Sequence, residues 1–202
     1  MNKIINIIFS DMKKDKNIYF SIMIVVLISL VFGALFITIL KDSDITLVKE
    51  HINTYFDSIK VKEYIPSLYN NMMSNNITAI ILWILGFSIV GLPLIICILF
   101  YKGFTLSFSV ASLIYNFKID GIFLSFIYIF PHLILNLLTY FIVTYYSFKL
   151  SVNLIGKILN KTNVSKTSIK KYLLILIISL IFLCLSAIYE TYILPYLIKI
   201  IY

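Results

Sequence analysis

The sequence predicts an all-α polytopic membrane protein of about five transmembrane helices, amino terminus inside and carboxyl terminus outside, with amphipathic helices at the interfaces. Three observations predict it. Hydrophobic residues make up 61% of the chain and charged residues 13%, against about 25% charged in a soluble domain, and mean hydropathy is +1.00. Charge-free runs of membrane-spanning length recur along the chain. The last gap between such runs holds Lys149, Lys157, Lys161, Lys166, Lys170 and Lys171 without one acidic residue, and lysine-rich loops stay on the cytoplasmic side.

Taken in order, residues 1–16 place Ile4, Ile5, Ile8, Phe9 and Met12 on one helical face with Lys3, Lys13 and Lys14 largely elsewhere, an interfacial helix on the inner leaflet. The run from Asn17 to Leu40 exceeds the core of a signal peptide and ends without a small-x-small site, so it reads as an uncleaved first span. Residues 41–76 form an outer segment in which Ile52, Tyr55, Phe56 and Ile59 make an apolar stripe. That stripe either docks a partner helix or lies on the outer leaflet. The second run, Ile77 to Tyr101, is expected to kink at Gly91-Leu92-Pro93, because proline removes a backbone donor and clashes one turn back. Lys102-Gly103 then closes that span, with Lys102 as an inner-interface anchor or a substrate or partner contact, and Gly103 as the turn residue.

The third run, Gly103 to Phe117, has 15 residues, short for an untilted span. Its Gly103, Ser107 and Ala111 share a face that lets another helix approach closely, so this span is expected to be enclosed by the others. The fourth run, Gly121 to Phe148, contains Pro131, His132 and Asn136, the last two one turn apart; they are either glue between helices or a functional cluster. Residues 149–171 form a basic cytoplasmic loop, whose Leu150, Leu154, Ile155, Ile158 and Leu159 repeat the amphipathic stripe. The fifth span is Tyr172 to Tyr189. All of 1–202 forms one integral membrane domain.

Alternation from the basic loop leaves 11 lysines inside and 6 outside, as the positive-inside rule asks. The net charge of +8 is therefore a topology signal that suits contact with anionic membrane lipid. Nucleic acid is not needed to account for it, since phosphate binding would leave the spans unexplained. All 17 basic residues are lysines, which with many Ile and Asn reflects an AT-rich genome rather than chemistry.

Catalytic constellations are not evident. HExxH, GxSxG, phosphate-loop and GxGxxG patterns do not occur, and Ser10-Asp11-Met12-Lys13 matches S-x-x-K without its companion motifs. Cys97 and Cys184 sit within apolar runs where cysteine acts as a small hydrophobe, away from ligand-spaced partners. No disulfide, metal or cofactor is expected. Only Glu190 among the acidic residues could lie at membrane depth, too few ionisable groups for a pump. The broken helices also allow a small permease or the membrane subunit of an exporter.

The stretch Trp83-Ile-Leu-Gly86-Phe-Ser88-Ile-Val-Gly91-Leu-Pro93, followed by Phe100-Tyr-Lys102-Gly103-Phe104 and then Pro131-His132, resembles the stage II sporulation protein M family of endospore-forming bacteria. In broader relatives the proline-histidine pair is followed four residues on by a glutamate, where this chain has Asn136. The resemblance implies a forespore-engulfment protein without enzymatic activity. It also implies a scaffold for two wall hydrolases, stage II sporulation proteins D and P, which remodel septal peptidoglycan. The outer segment 41–76, with Tyr55, Phe56 and Ile59 as candidate partner contacts, is the sizeable stretch on the wall side.

Overall fold

The structure, a computed structural model, describes residues 15–60, 67–158 and 169–201. Its helices follow as α1 (Lys16–Ile39), α2 (Asp42–Lys60), α3 (Leu68–Leu85), α4 (Gly91–Leu124), a π-helical turn at Ser125–Ile129, α5 (Phe130–Ile158), α6 (Ile169–Ile188), a second π-helical turn at Tyr189–Ile193, and α7 (Leu194–Ile201). No strand occurs among the described residues. Three helical stretches are long and apolar enough to cross a membrane: Lys16–Ile39, Gly91–Gly156 and Lys170–Ile198. The expected interfacial helix, Ile4 to Met12, lies outside the described residues.

As one straight rod the middle stretch would be about 100 Å long, three times a hydrocarbon core. It folds back instead at Lys118, whose φ of 52° breaks the helix. Gly121 makes the hairpin possible, because a Cβ there would strike the backbone of Leu113 and Ile114. α4 is thus two antiparallel pieces, 91–117 and 119–124, and the second runs on through the π turn into α5.

The apolar run Ile77 to Tyr101 is not one span. The chain leaves the helix at Gly86 and re-enters it at Gly91. Phe87 N–H and Ser88 N–H still bond to Ile84 O and Leu85 O, and Ser151 Oγ donates to Gly86 O at 2.9 Å and to Ser88 O at 3.0 Å. Gly91 abuts Leu85 so closely that a side chain would meet its carbonyl. Pro93 consequently sits in the first turn of α4, where the missing N–H costs no helical bond. It starts a helix and does not kink one. Lys102 and Gly103 lie in the middle of α4, so neither closes a span, and the shortness of the third run disappears because 91–117 is long enough by itself.

α1 packs most extensively on α4. Their seam is built from small residues: Ser29 and Gly33 are buried on α1, facing Gly103 and Ser107 of α4. Ser107 Oγ donates to Leu30 O, and Phe36 meets Phe104 edge-on at 5.4 Å. The face expected to admit a neighbouring helix does so. Its other side is not enclosed, since Tyr101 and Tyr115 are exposed.

Two cores result. One joins Ile22, Leu82, Leu99, Tyr140, Tyr146, Tyr172 and Leu183; the other joins Phe56, Ile59, Leu113, Leu124, Ile129 and Leu194 at the opposite end. Beside the first, Lys149 forms an ion pair with Asp15, and Tyr145 OH donates to the same carboxylate at 3.2 Å. Lys149 is buried within α5, as is Leu150. Leu150, Leu154 and Ile155 of the expected stripe therefore lie in the tail of α5, while Leu159 lies outside the described residues.

Candidate functional site

Sequence-predicted positions gather in two places, a polar seam inside the helix bundle and the helix α2. The seam starts from proline. Pro131 has no N–H, so the carbonyl one turn back, at Ile127, loses its helical donor. The chain widens into the π turn, Phe130 N–H bonding to Ser125 O, and Tyr189 OH fills the orphaned Ile127 carbonyl at 3.1 Å. A second π turn at Tyr189–Ile193 also stands two residues before a proline, Pro195. Ser186 Oγ donates to His132 O at 3.0 Å, and the His132 ring stacks on Tyr189 at 6.3 Å. Two proline-linked turns on adjacent helices thus brace one another, as backbone groups freed in a membrane helix require.

Below them, His132, Asn136 and Tyr140 form one column on α5 at four-residue steps. Tyr140 OH bonds to Asn75 O and Asn75 Oδ1, both at 3.2 Å. The Lys102 ammonium sits 5.1 Å from the centroid of the Tyr140 ring and lies within electrostatic range of Glu190. Asn71 Nδ2 reaches Thr191 Oγ1 at 3.4 Å, and Asn76 Nδ2 reaches Cys184 Sγ at 3.5 Å. One node therefore joins α3, α4, α5 and the second π turn around a lysine and a glutamate of opposite charge. The two opposite charges attract one another, each offsetting part of the other's desolvation, as charged residues in apolar surroundings require.

His132 and Asn136 do not supply the expected glue through their side chains. His132 is 6% and Asn136 4% exposed, yet His132 Nδ1 and Asn136 Oδ1 have no hydrogen-bond partner among the described residues. The bond that crosses to α6 uses the His132 carbonyl. Lys102 is likewise half-buried in mid-helix rather than an interface anchor.

The stripe on α2 is already covered. Phe56 and Ile59 are each 1% exposed; Phe56 meets Tyr128 edge-on at 5.4 Å and Tyr55 meets it at 6.0 Å. As a partner-docking surface, Tyr55, Phe56 and Ile59 are occupied by the chain itself. The opposite face of α2 is exposed and charged, with Asp42, Lys49, Glu50 and Asp57.

The model of one family, stage II sporulation protein M, matches residues 22–195, which takes in both the seam and α2. The chain belongs to the stage II sporulation protein M family. It is accordingly a sporulation-related membrane protein. No curated protein and no solved structure shows a significant match. The motifs that carry the resemblance to the stage II sporulation protein M family fall at structural joints: Gly86 to Pro93 is the turn between α3 and α4, Lys102-Gly103 is the node and small-residue seam, and Pro131-His132 follows the first π turn. Asn71, Asn75, Tyr140 and Thr191 escaped sequence reasoning. A signal existed for Tyr140, four residues beyond Asn136 on the same face; for the asparagines of α3, polarity argued for an outer loop.

Proposed function

We propose that this chain is a non-enzymatic membrane scaffold of forespore engulfment. It crosses the membrane five times, amino terminus inside and carboxyl terminus outside, at the septum and the engulfing mother-cell membrane. It holds wall hydrolases, stage II sporulation proteins D and P, from its outer face. The five crossings are α1, residues 91–117, the continuous run 119–158, α6 with α7, and α3, which is less apolar than those stretches and packs between α5 and α6. Supporting that count, Asp15, Gly86, Ser88 and Lys149 gather at one end, which is also the end of the lysine-rich stretch 157–171 and hence the inner one. Lys118 and α2 fall at the other.

The observation that carries the scaffold reading is the posture of α2. An outer helix pinned by Phe56 and Ile59 holds its charged face outward in a fixed orientation, and a preorganised polar face favours a partner by avoiding the cost of ordering. Reversing Lys49→Glu, Glu50→Lys and Asp57→Lys together leaves the buried face alone. Expected in sporulating cells are normal membrane insertion and protein level, loss of the hydrolases from immunoprecipitates, and engulfment stalled after the septum has formed. Retained hydrolases and completed engulfment would refute the reading.

A further inference from the structure

Between the first half of α2 and the bundle lies a cleft of about 310 Å³, lined by Val48, His51, Ile52, Tyr55 and Phe56 above, Phe108, Ser109, Ser112 and Leu113 of α4 on one side, and Tyr128 and Ile129 of the first π turn on the other. It exists because α2 is pinned at one end only. Phe56 and Ile59 are sealed against the outer core, with Ile52 partly packed on it, while Val48, two turns before Phe56 on the same stripe, stands over the cleft. We propose that this cleft is a binding site for one acyl chain of an outer-leaflet phospholipid.

Depth supports that occupant. Phe108 packs on Phe36 at 5.8 Å, three residues before α1 ends at Ile39, so the floor of the cleft lies about 4.5 Å beneath the end of the helix proposed above as the first crossing. The roof is an amphipathic helix whose outward face is charged, the posture of a helix in the interface plane. A site between these two levels is bathed by lipid chains. Its lining is chiefly Val48, Ile52, Phe56, Phe108, Leu113 and Ile129, and apolar cavities exclude water. Its volume is at the lower end for small-ligand sites, about 300–1,000 Å³. His51, Tyr55 and Tyr128 are side chains of the kind that collect at headgroup level. A chain held here would complete the apolar seat of α2 and so fix the pitch of its charged face. The inference rests on the topology proposed above, which makes the α2 end the outer one, and holds whether or not α2 recruits hydrolases.

The test uses the full chain in nanodiscs containing a phospholipid with a diazirine in its acyl chain, followed by mapping of the photoadducts. Adducts on residues 48–56 and 108–113 are expected to exceed, per residue, those on the exposed face of α1 at Phe20, Leu27 and Ile28. Ser109→Trp and, from the opposite wall, Val48→Trp are each expected to fill the cleft and reduce its adducts to the α1 background, while the α1 adducts stay unchanged. Cleft labelling no greater than that background in the parent protein overturns the proposal. So does cleft labelling that survives in whichever of the two variants folds.

Discussion

The seam between α1 and α4 and the seam between α5 and α6 solve the same problem with opposite means. Lipid offers no hydrophobic drive for helices to associate. In the first seam the backbones come together because Ser29 and Gly33 meet Gly103 and Ser107, and its Ser107 hydroxyl is satisfied by Leu30 O. In the second, two proline-linked π turns brace each other through Tyr189 and Ser186, yet beside them His132 Nδ1 and Asn136 Oδ1 stay without partners among the described residues. Close approach holds the molecule together, whereas part of its buried polarity contributes nothing to that hold.

Substitutions can break or sharpen the contrast. The largest effect is expected from Gly33→Leu, because the atoms in the way are the Phe104 carbonyl and the Phe108 nitrogen, which cannot swing aside. The cost should exceed the about 1–3 kcal/mol of ordinary overpacking, and size-exclusion of the detergent-solubilised protein should show little monodisperse material. Next comes Phe56→Ala, expected to cost about 3 kcal/mol by opening the outer core. Hydrogen exchange should accelerate across residues 42–60 and leave α1 and α4 protected; uniform acceleration would mean that α2 also holds the bundle.

A smaller effect is expected at the inner end. Lys149→Gln strands the Asp15 carboxylate, and with Asp15 16% exposed the loss should be about 2 kcal/mol, below the full penalty for a buried charge. Asp15→Asn combined with Lys149→Gln should recover most of it in thermal unfolding, and additive losses would show that the pair is not coupled. Smallest of all, Asn136→Leu should change stability by less than about 1 kcal/mol, since its buried Oδ1 has no partner among the described residues to lose, and His132→Leu only slightly more, since the ring's hydrogen bond is to the Tyr128 backbone on its own helical run and not across to another helix. A collapse of either variant would restore these side chains to the role of glue.

How far the sequence could be read follows from what each signal depends on. Helicity, membrane character and the small-residue face at Gly103 and Ser107 depend on composition and on spacing within one helix, so they were legible. The break at 86–90 was obscured because Ile77 to Tyr101 is apolar throughout, and hydropathy is blind to a turn made of apolar residues. Gly86, Ser88, Gly91 and Pro93 did mark it, since proline belongs in a first turn as readily as at a kink. Lys102 was misplaced for a different reason: its neighbours are Tyr140 and Glu190, distant in sequence, and no local pattern can announce them. The α2 stripe was found, but whether an amphipathic face seats on lipid, on a partner or on its own chain is decided by tertiary packing.

In the proposed topology both seams lie within the membrane, so recruitment falls to the outward face of α2 and support to everything beneath it. The most direct test is a photo-crosslinking amino acid placed in turn at Glu50, on the exposed face, and at Ile59, on the buried one, in sporulating cells. The account predicts an adduct with a peptidoglycan hydrolase from position 50 and none between proteins from position 59. An absence of hydrolase adducts at position 50, or hydrolase adducts at position 59, would contradict it.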